Sequence, residues 1–415
     1  MPAASLATAA STLAGSPVRA GLYDWLSLHP DHGGDTVGWV VGRAVLIFVI
    51  VNVTLVMAAL LVWAERRVSA WMQDRLGPNR VGPQGLLQPI ADLGKFIFKE
   101  DFDPGHVNRW MYLIAPLIAM VPALITFAVI PYTGRVEGDP SAWVSWAVAD
   151  VNIGILYILA ITSLAVYGLA LGGWASNSKY SLLGGVRSSA QMISYELSLG
   201  LAVVSVVLLS SSLHLGDIVA YQANTTWFAF QQPVAFFIFL VSAYAETNRL
   251  PFDLPEAESE LVAGYHTEYS AMKFAAFFLA EYVNMFVGSA LVVTLFCGGW
   301  TFFGLEQAGW WMGLLIFGAK TLFFCFVFIW VRWTLPRFRY DQLMRLGWSW
   351  FIPVALANVI LTAAGIAFHQ PWVPYVLPVV LVLGGLLAAW IAPGRVVVPR
   401  LEERAAPAAG EEGSR

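Results

Sequence analysis

The feature that most constrains this chain is a series of about nine apolar segments, most of them long enough to cross a membrane. A helix needs about 20 mostly apolar residues to span a bilayer. Only 12% of the 415 residues are charged, against about 25% in a soluble domain. We therefore predict an all-α fold, a polytopic membrane helical bundle with about nine transmembrane helices. The predicted spans are 38–64, 108–131, 152–175, 187–211, 233–247, 270–299, 310–333, 348–368 and 375–391.

Basic residues are concentrated in alternate loops, and this asymmetry predicts an orientation. The opposite set of loops contains Arg19, Arg135 and almost no other basic residue. Because Lys and Arg are retained on the cytoplasmic side, we expect an external N-terminus and a cytoplasmic C-terminus in a bacterial plasma membrane. The chain then divides into an N-terminal extension on the periplasmic side (1–37), a transmembrane domain (38–392) and a charged cytoplasmic tail (393–415). The principal cytoplasmic loops are 65–107, 176–187, 248–270 and 334–347.

The motif content excludes several kinds of site. Cys297 and Cys325 lie in apolar segments without a CxxC or Cys/His cluster, so we expect neither a metal site nor an iron–sulfur cluster in this chain. No glycine-rich phosphate loop occurs, so neither FMN nor another nucleotide is expected to bind. His29 and His32 are three residues apart, but their Pro/Gly/Asp-rich surroundings favour a solvated loop. No basic field for nucleic acid and no internal repeat is visible.

The first cytoplasmic loop contains an amphipathic segment that begins near Gln84. Leu86, Ile90, Leu93 and Ile97 fall on one stripe of a helix, with charged residues away from it. Such a helix is too polar to span the bilayer and is typical of the membrane interface. On this pattern alone, it is best interpreted as an anchor with a solvated charged face.

Carboxylates inside or beside the spans are the second unusual feature. A charged residue at the centre of a span costs roughly 2.5–3.5 kcal/mol on insertion scales. The pattern favours a proton-conducting or coupling role, because crowded carboxylates near lipid hold and exchange protons. A structural polar network, with neutral carboxyls hydrogen-bonded in the bundle, is the alternative. The acidic positions are Glu196, Glu246, Asp253, Glu256, Glu258, Glu260, Glu268 and Glu281, and within residues 246–281 only Arg249 and Lys273 oppose them. We call the loop 248–270 the acidic loop.

Four loop motifs, in order and at the expected spacing, carry a family resemblance. They read GPNRVGPQGLLQP, NSKYS, NRLPFDLPEAESELV and LPRFRYDQL. The chain closely resembles the family of membrane subunits of respiratory complex I, the proton-translocating NADH:quinone oxidoreductase, that is called subunit 1 in mitochondria. The resemblance covers roughly residues 38–368.

The resemblance implies a membrane subunit that forms a quinone chamber and couples quinone reduction to proton translocation. Quinone would be the substrate, and no catalytic residue is expected in the isolated chain. Flavin and iron–sulfur clusters would belong to partners, namely the peripheral-arm quinone-module and Fe–S subunits, alongside antiporter-like and small membrane subunits. Carried over by motif, the chamber and its entrance would involve Arg66, Asp92, Arg249 and Asp253. The proton path would involve Glu196, Glu246, Glu256, Glu258, Glu260, Glu268 and Glu281.

Two alternatives stay open at the level of the sequence. One is the equivalent subunit of a related membrane-bound hydrogenase or ferredoxin-linked complex. The other is a self-contained proton transporter that uses the acidic cluster as its pathway. A transporter should be stable and active alone after purification, whereas a subunit should purify with soluble iron–sulfur partners.

Overall fold

A computed structural model describes residues 36–136, 143–255, 258–308 and 310–368, together with 379–380 and 383–384. Most of the N-terminal extension, including His29 and His32, lies outside the described residues. Most of the ninth predicted span, the whole charged tail, and Glu256 lie outside them as well.

The described chain is a bundle of membrane-length helices with a few short elements between them. The helices are α1 Thr36–Met72, α2 Gln88–Phe98, α3 Arg109–Thr126, α4 Gly154–Ala175, α5 Lys179–Ser210, α6 Leu215–Asn224, α7 Phe228–Gln231, α8 Pro233–Glu246, α9 Glu258–Leu261, α10 Ala271–Phe296, α11 Trp310–Thr334, α12 Tyr340–Arg345 and α13 Ile352–Ala367. A six-residue π-helical turn, Leu346–Phe351, joins α12 to α13. Short 3₁₀ turns occur at Pro83–Gly85, Phe127–Val129, Gly264–His266 and Leu305–Ala308.

The helices confirm the predicted all-α membrane bundle. In the described part of the chain, seven helical segments are long and apolar enough to cross a membrane, and Pro233–Glu246 is a shorter apolar helix. These eight coincide with the first eight predicted spans. The largest shifts are at α1, which continues to Met72 instead of ending at Ala64, and at α5, which starts at Lys179 instead of Arg187. The added residues include Glu65, Arg66 and Arg67 in α1 and Lys179, Ser181, Gly184 and Gly185 in α5, so both helices continue beyond the apolar stretches that a hydropathy pattern detects.

The amphipathic segment also forms a helix, but it starts later than the pattern predicted. A 3₁₀ turn covers Pro83–Gly85, and α2 begins at Gln88 with Pro89 in its first turn. Proline is favoured at that position because its missing N–H is not needed there. None of the α2 side chains is buried. Its apolar stripe is therefore left open to lipid or to another chain.

Close helix packing depends on small residues, as is usual in membrane bundles. A Cβ at Gly168 of α4 would lie 2.6 Å from the backbone nitrogen of Ala119 in α3. A Cβ at Gly173 would lie 2.5 Å from the Ser181 carbonyl oxygen of α5. These glycines let α3, α4 and α5 approach backbone to backbone. The most buried span is α10, at the centre of the bundle.

One end of the bundle carries the predicted cytoplasmic loops, and we call it the charged end. The other, the opposite end, carries elements that the sequence analysis did not predict. There β1 Thr133–Val136 pairs antiparallel with β2 Trp143–Trp146, with Thr133 opposite Trp146. A further helix, α6, follows α5 at this end. Both elements are too short and too mixed in composition to show in an apolar-segment analysis.

Candidate functional site

A buried carboxylate at the charged end joins four parts of the bundle. Glu65, near the end of α1, accepts hydrogen bonds from Arg249 Nη1 at 2.7 Å and from the Tyr282 hydroxyl at 3.0 Å. It also pairs with Arg332 of α11. The Glu65 and Arg249 side chains are only 7% and 4% exposed. A charge this buried requires charged and hydrogen-bonding partners, and here α10, α11 and the loop after α8 supply them.

Arg249 extends this ion cluster to a second carboxylate. Its Nη2 lies 3.7 Å from Glu281 Oε2, and its guanidinium lies 3.7 Å from the centre of the Tyr282 ring. The Tyr265 hydroxyl contacts Glu281 Oε1 at 3.2 Å. Burial opposes the charge on Arg249, but Tyr282, Glu65 and Glu281 outweigh it and raise the pKa of Arg249 above its usual value. Arg249 is therefore a permanent cation shared between two carboxylates.

Beyond Glu281, a small cavity leads to a third and a fourth carboxylate. Glu281 and Glu246 both line this cavity of about 20 Å³, together with Asn284 and Asn248. A single water needs about 10–15 Å³ measured in this way. Glu246 lies in turn within hydrogen-bonding reach of Thr162 and within electrostatic range of Glu196. Polar groups thus form a series from Glu65 to Glu196. The cavity between Glu281 and Glu246 has room for one water.

A larger cavity adjoins Glu65 on its other side. Its volume is about 310 Å³, at the lower end of the range for small-molecule sites. Arg66 lies at this cavity and pairs with Asp92 of α2 at 2.5 Å, and Gln88 donates a hydrogen bond to Asp92 at 3.1 Å. The lining residues are Glu65, Arg66, Ser69, Arg75, Pro78, Gln88 and Trp333. The cavity therefore lies between the end of α1, the start of the amphipathic helix and the end of α11.

Asp253 is an acid whose side chain is 15% exposed. One carboxylate oxygen lies 3.3 Å from Arg337, and the other has no hydrogen-bond partner among the described residues. Burial raises the pKa of Asp253 to about 7, although the positive charges of Arg337, Arg332 and Arg249 oppose that rise. Asp253 should therefore exchange its proton near neutral pH.

A buried glutamine of α5 holds the loop that carries Arg249 and Asp253. The Gln191 side-chain amide donates to the carbonyls of Ala245 and Phe252, both at 2.9 Å, and to Asn248 Oδ1 at 3.1 Å. Gln191 is completely buried. Two backbone carbonyls, one at the end of α8 and one in the irregular segment after it, are therefore satisfied inside the protein.

The structure brings together only some of the residues that the sequence predicted. Arg249, Glu281, Glu246 and Glu196 form one series, in which Arg249 is buried and the three glutamates are partly buried, with Asp253 beside Arg249.

The remaining predicted acids lie outside this series where they are described. Glu260 is exposed and pairs with Arg187 at 2.9 Å. Glu268 lies 4.0 Å from His106 and is partly exposed. Glu258 begins α9, and its side chain is not among those described. Glu256 lies outside the described residues.

Sequence reasoning missed four residues of the ion cluster. Glu65, Tyr265, Tyr282 and Arg332 were not predicted as site residues, although all four contact Arg249 or one of its two carboxylates. A signal for Glu65 existed, since it is a carboxylate at the end of an apolar span, as Glu246 is. Its partners lie 184 and 267 positions away in the chain. Only tertiary structure reveals that they meet.

The described architecture and its buried ion cluster define a multi-pass membrane protein with a charged interior. Comparison with known proteins adds the family. The model of the NADH dehydrogenase family matches residues 44–363. The chain belongs to this family.

Named relatives match over most of their length. One is the H subunit of NADH-quinone oxidoreductase from Salinibacter ruber, 52% identical over 77% of this chain and 94% of that protein. Another is an H subunit of NADH-quinone oxidoreductase from Geobacter metallireducens, 55% identical over 77% of this chain and 94% of that protein. A third is NADH-quinone oxidoreductase subunit 8 of Rhodothermus marinus, 53% identical over 79% of this chain and 98% of that protein.

Proposed function

We propose that this chain is the membrane subunit of a proton-pumping NADH:quinone oxidoreductase that lines the quinone chamber and passes the effect of quinone reduction to a proton path. The names of its relatives favour this complex over the hydrogenase-type alternative. The observation that carries the proposal is the ion series Glu65–Arg249–Glu281, which lies between the larger cavity and the water-sized one.

The quinone would occupy the side of this series that faces the larger cavity. Glu65 and Arg66 both line that cavity, so the reacting headgroup would lie near an exchangeable ion pair. Two-electron reduction of a quinone consumes two protons, and in a low-dielectric site such a change strongly alters the energy of nearby charges. Arg249 has carboxylates on both sides. A change at Glu65 therefore shifts Arg249 toward or away from Glu281.

The proton path would continue through Glu281, the water-sized cavity, Glu246 and Glu196. Ionisable residues inside a membrane protein usually face the bundle interior and mark proton relays. Two carboxylates on one small cavity repel each other when both are charged, so a proton shared between them is favoured. Displacement of Arg249 from Glu281 removes the positive charge that holds Glu281 ionised. Glu281 then takes up a proton and later returns it through Glu246.

The amphipathic helix α2 would form the edge of the chamber on the lipid side. Its apolar stripe is exposed at Ile90, Leu93 and Ile97, and Asp92 on its other face pairs with Arg66. An apolar quinone tail entering from the bilayer needs such an apolar rim. In this arrangement the charged end faces the cytoplasm, where the peripheral-arm subunits with flavin and iron–sulfur clusters would close the chamber. The effect of quinone reduction would then pass to the flanking membrane subunits.

Substitution of Glu281 by Gln in the whole complex tests the proposal. Glu281→Gln keeps the side-chain volume but removes the charge and the exchangeable proton. Reconstituted in vesicles, this variant should reduce quinone but pump several-fold fewer protons per quinone. Glu306→Gln, at the opposite end of the bundle, is the matched control and should pump normally. Full proton pumping by Glu281→Gln would contradict the proposed path.

A further inference from the structure

One segment at the charged end has not been assigned a role in the proton path. Residues 335–351, which we call the link segment, connect α11 to α13 and include α12 and the π turn. In this turn the backbone N–H of Ile352 bonds the carbonyl of Gly347, five residues back. π turns are rare, strain the regular helical ladder, and occur often at functional sites. An irregular turn at the membrane boundary suggests that its geometry serves a purpose.

The first half of the link segment contacts the acidic loop. The Phe338 N–H donates to the Pro251 carbonyl at 3.2 Å. The Phe338 ring stacks on Phe252 with centroids 5.6 Å apart, and Arg337 pairs with Asp253 at 3.3 Å. Three consecutive loop residues are thus attached to two consecutive link residues. A displacement of the acidic loop near Arg249 would therefore displace the link segment directly.

The second half of the link segment contacts α5 just before Glu196. The Trp348 indole N–H donates to the Ser194 hydroxyl at 3.0 Å. The Tyr195 hydroxyl donates to the Leu343 carbonyl at 3.0 Å. Both Ser194 and Tyr195 are buried. The link segment therefore bonds the two residues that immediately precede Glu196.

A third contact of the link segment is made by Tyr340, which lies between Phe338 and Leu343 in the chain. The Arg187 guanidinium lies 5.4 Å from the centre of the Tyr340 ring and pairs with Glu260 at 2.9 Å. Arg187 belongs to α5, Tyr340 to α12 and Glu260 to α9 within the acidic loop. The link segment thus contacts the acidic loop and α5 at several levels, which favours joint movement of the three.

From this we infer that the link segment couples the acidic loop to Glu196, and that Trp348 is a positioning residue for that carboxylate. The inference rests on the proposed function. Successive α-helical residues are about 100° apart, so residues 194 and 196 point about 200° apart around α5. Holding Ser194 on the link side directs Glu196 to the other face, where Glu246 lies within electrostatic range. Release of the Trp348–Ser194 bond would remove one of the contacts that orient this turn of α5, and with it Glu196, relative to Glu246.

Replacement of Trp348 by Phe tests this inference in the complete complex reconstituted in vesicles. Trp348→Phe removes the N–H donor and keeps an aromatic ring. The apparent KM for quinone and the reduction rate should change little. Protons pumped per quinone should fall about twofold or more, within the range known for residues that modulate coupling at a distance. Ser194→Ala should produce the same loss, and the double variant should be no worse than either single one.

Trp350 offers a matched control in the same π turn. Its exposure is close to that of Trp348, at 46% against 52%, but no hydrogen bond of its indole occurs within the described ranges. Trp350→Phe should therefore leave the proton yield unchanged. An equal loss in Trp350→Phe would show that only the turn was disturbed and would overturn the role of the Trp348 bond.

The outcomes separate this inference from the proposed function. Full pumping by Trp348→Phe, with pumping lost in Glu281→Gln, would remove the positioning role and leave the proton path intact. Full pumping by Glu281→Gln would remove the path itself. If Trp348→Phe fails to assemble, Ser194→Ala decides, because it deletes the acceptor hydroxyl, which also bonds the Ala190 carbonyl one turn back and Met344 Sδ. Normal coupling in that variant would overturn the inference.

Discussion

The two ends of the bundle both contain buried or half-buried ions, but they use them differently. At the opposite end, the Lys320 ammonium donates to the carbonyls of Cys297, Gly299 and Thr301, at 2.6, 3.2 and 2.6 Å. All three of its protons are used, and Trp227 covers it at 4.4 Å. These three bonds fix the segment after α10 to α11.

His214, at the same end of the bundle, is also fixed by charged partners. One ring nitrogen pairs with Asp150, and the other lies 3.2 Å from Asp217. Hydrogen bonds to these two carboxylates raise the pKa of His214 to about 10, against the smaller opposing effect of burial. The bond from His214 correspondingly lowers the pKa of Asp217. This group stays charged at neutral pH and joins the start of α4 to α6.

At the charged end, by comparison, the hydrogen bonding of the ions is incomplete. Arg249 Nε, Arg332 Nε and one oxygen of Asp253 have no hydrogen-bond partner among the described residues. Arg249 divides its charge between Glu65 and Glu281, and a cavity adjoins each of these carboxylates. Saturated ions stabilise one arrangement, whereas shared ions beside cavities allow several. Substitutions at the two ends should therefore have different consequences.

Arg249→Ala should have the largest effect. It leaves Glu65 and Glu281 without their common cation, and removing one partner of a buried ion pair costs about 3–5 kcal/mol. We expect a loss of quinone reduction of more than about tenfold, or weaker binding of a quinone-site inhibitor. Arg249→Lys, which keeps the charge, is the control and should retain more activity. An unchanged quinone affinity together with an unchanged rate would exclude Arg249 from the chamber.

Glu246→Gln should have the next largest effect. The amide retains hydrogen bonding in the water-sized cavity but cannot exchange a proton with Glu281. Proton pumping in vesicles should fall several-fold while the amount of assembled complex stays near normal. Glu260→Gln, on the exposed surface, provides the comparison. Normal pumping by the Glu246 variant would place the path elsewhere.

Asp253→Asn should change pH dependence more than maximum rate. Because the pKa of Asp253 is about 7, the Asp253–Arg337 ion pair is complete above that pH and is lost as the pH falls through it. Quinone reduction by the unmodified complex should therefore change between about pH 6 and 8. That component should be absent from the Asn variant. The same pH profile in both proteins would show that Asp253 does not control the rate.

His214→Asn should affect stability and not coupling. The folded-state pKa of about 10 lies above the ordinary value of 6.5, so its contribution is complete below pH 6.5 and is lost as pH rises toward 10. The pair is partly solvated, and we expect it to stabilise by only about 1 kcal/mol. Thermal unfolding should thus show a deficit at pH 6.5 that disappears near pH 10. A changed proton yield per quinone would show that the two ends are coupled.

His29→Ala combined with His32→Ala should have no effect. These histidines lie outside the described residues, and their sequence context favours a solvated loop over a metal site. Activity and metal content of the purified complex should both be unchanged. Strong loss of either would reveal a site that the sequence analysis rejected.

The sequence determined the membrane architecture of this protein and much of its chemical inventory. The first eight predicted spans coincide with helices because an apolar segment of about 20 residues has few other places to lie. The acidic loop and Glu196 were evident because charge next to lipid is expensive.

Tertiary structure alone decided which of these charges act together. Glu65 meets Arg249 and Arg332 across 184 and 267 positions, and the exposure of Glu260 separates it from the partly buried series. The π turn that brings Trp348 to Ser194 was equally invisible, since its residues are ordinary for a helix. Hydropathy depends on local composition, whereas ion pairing depends on how helices pack against one another, and that packing is a property of the whole bundle.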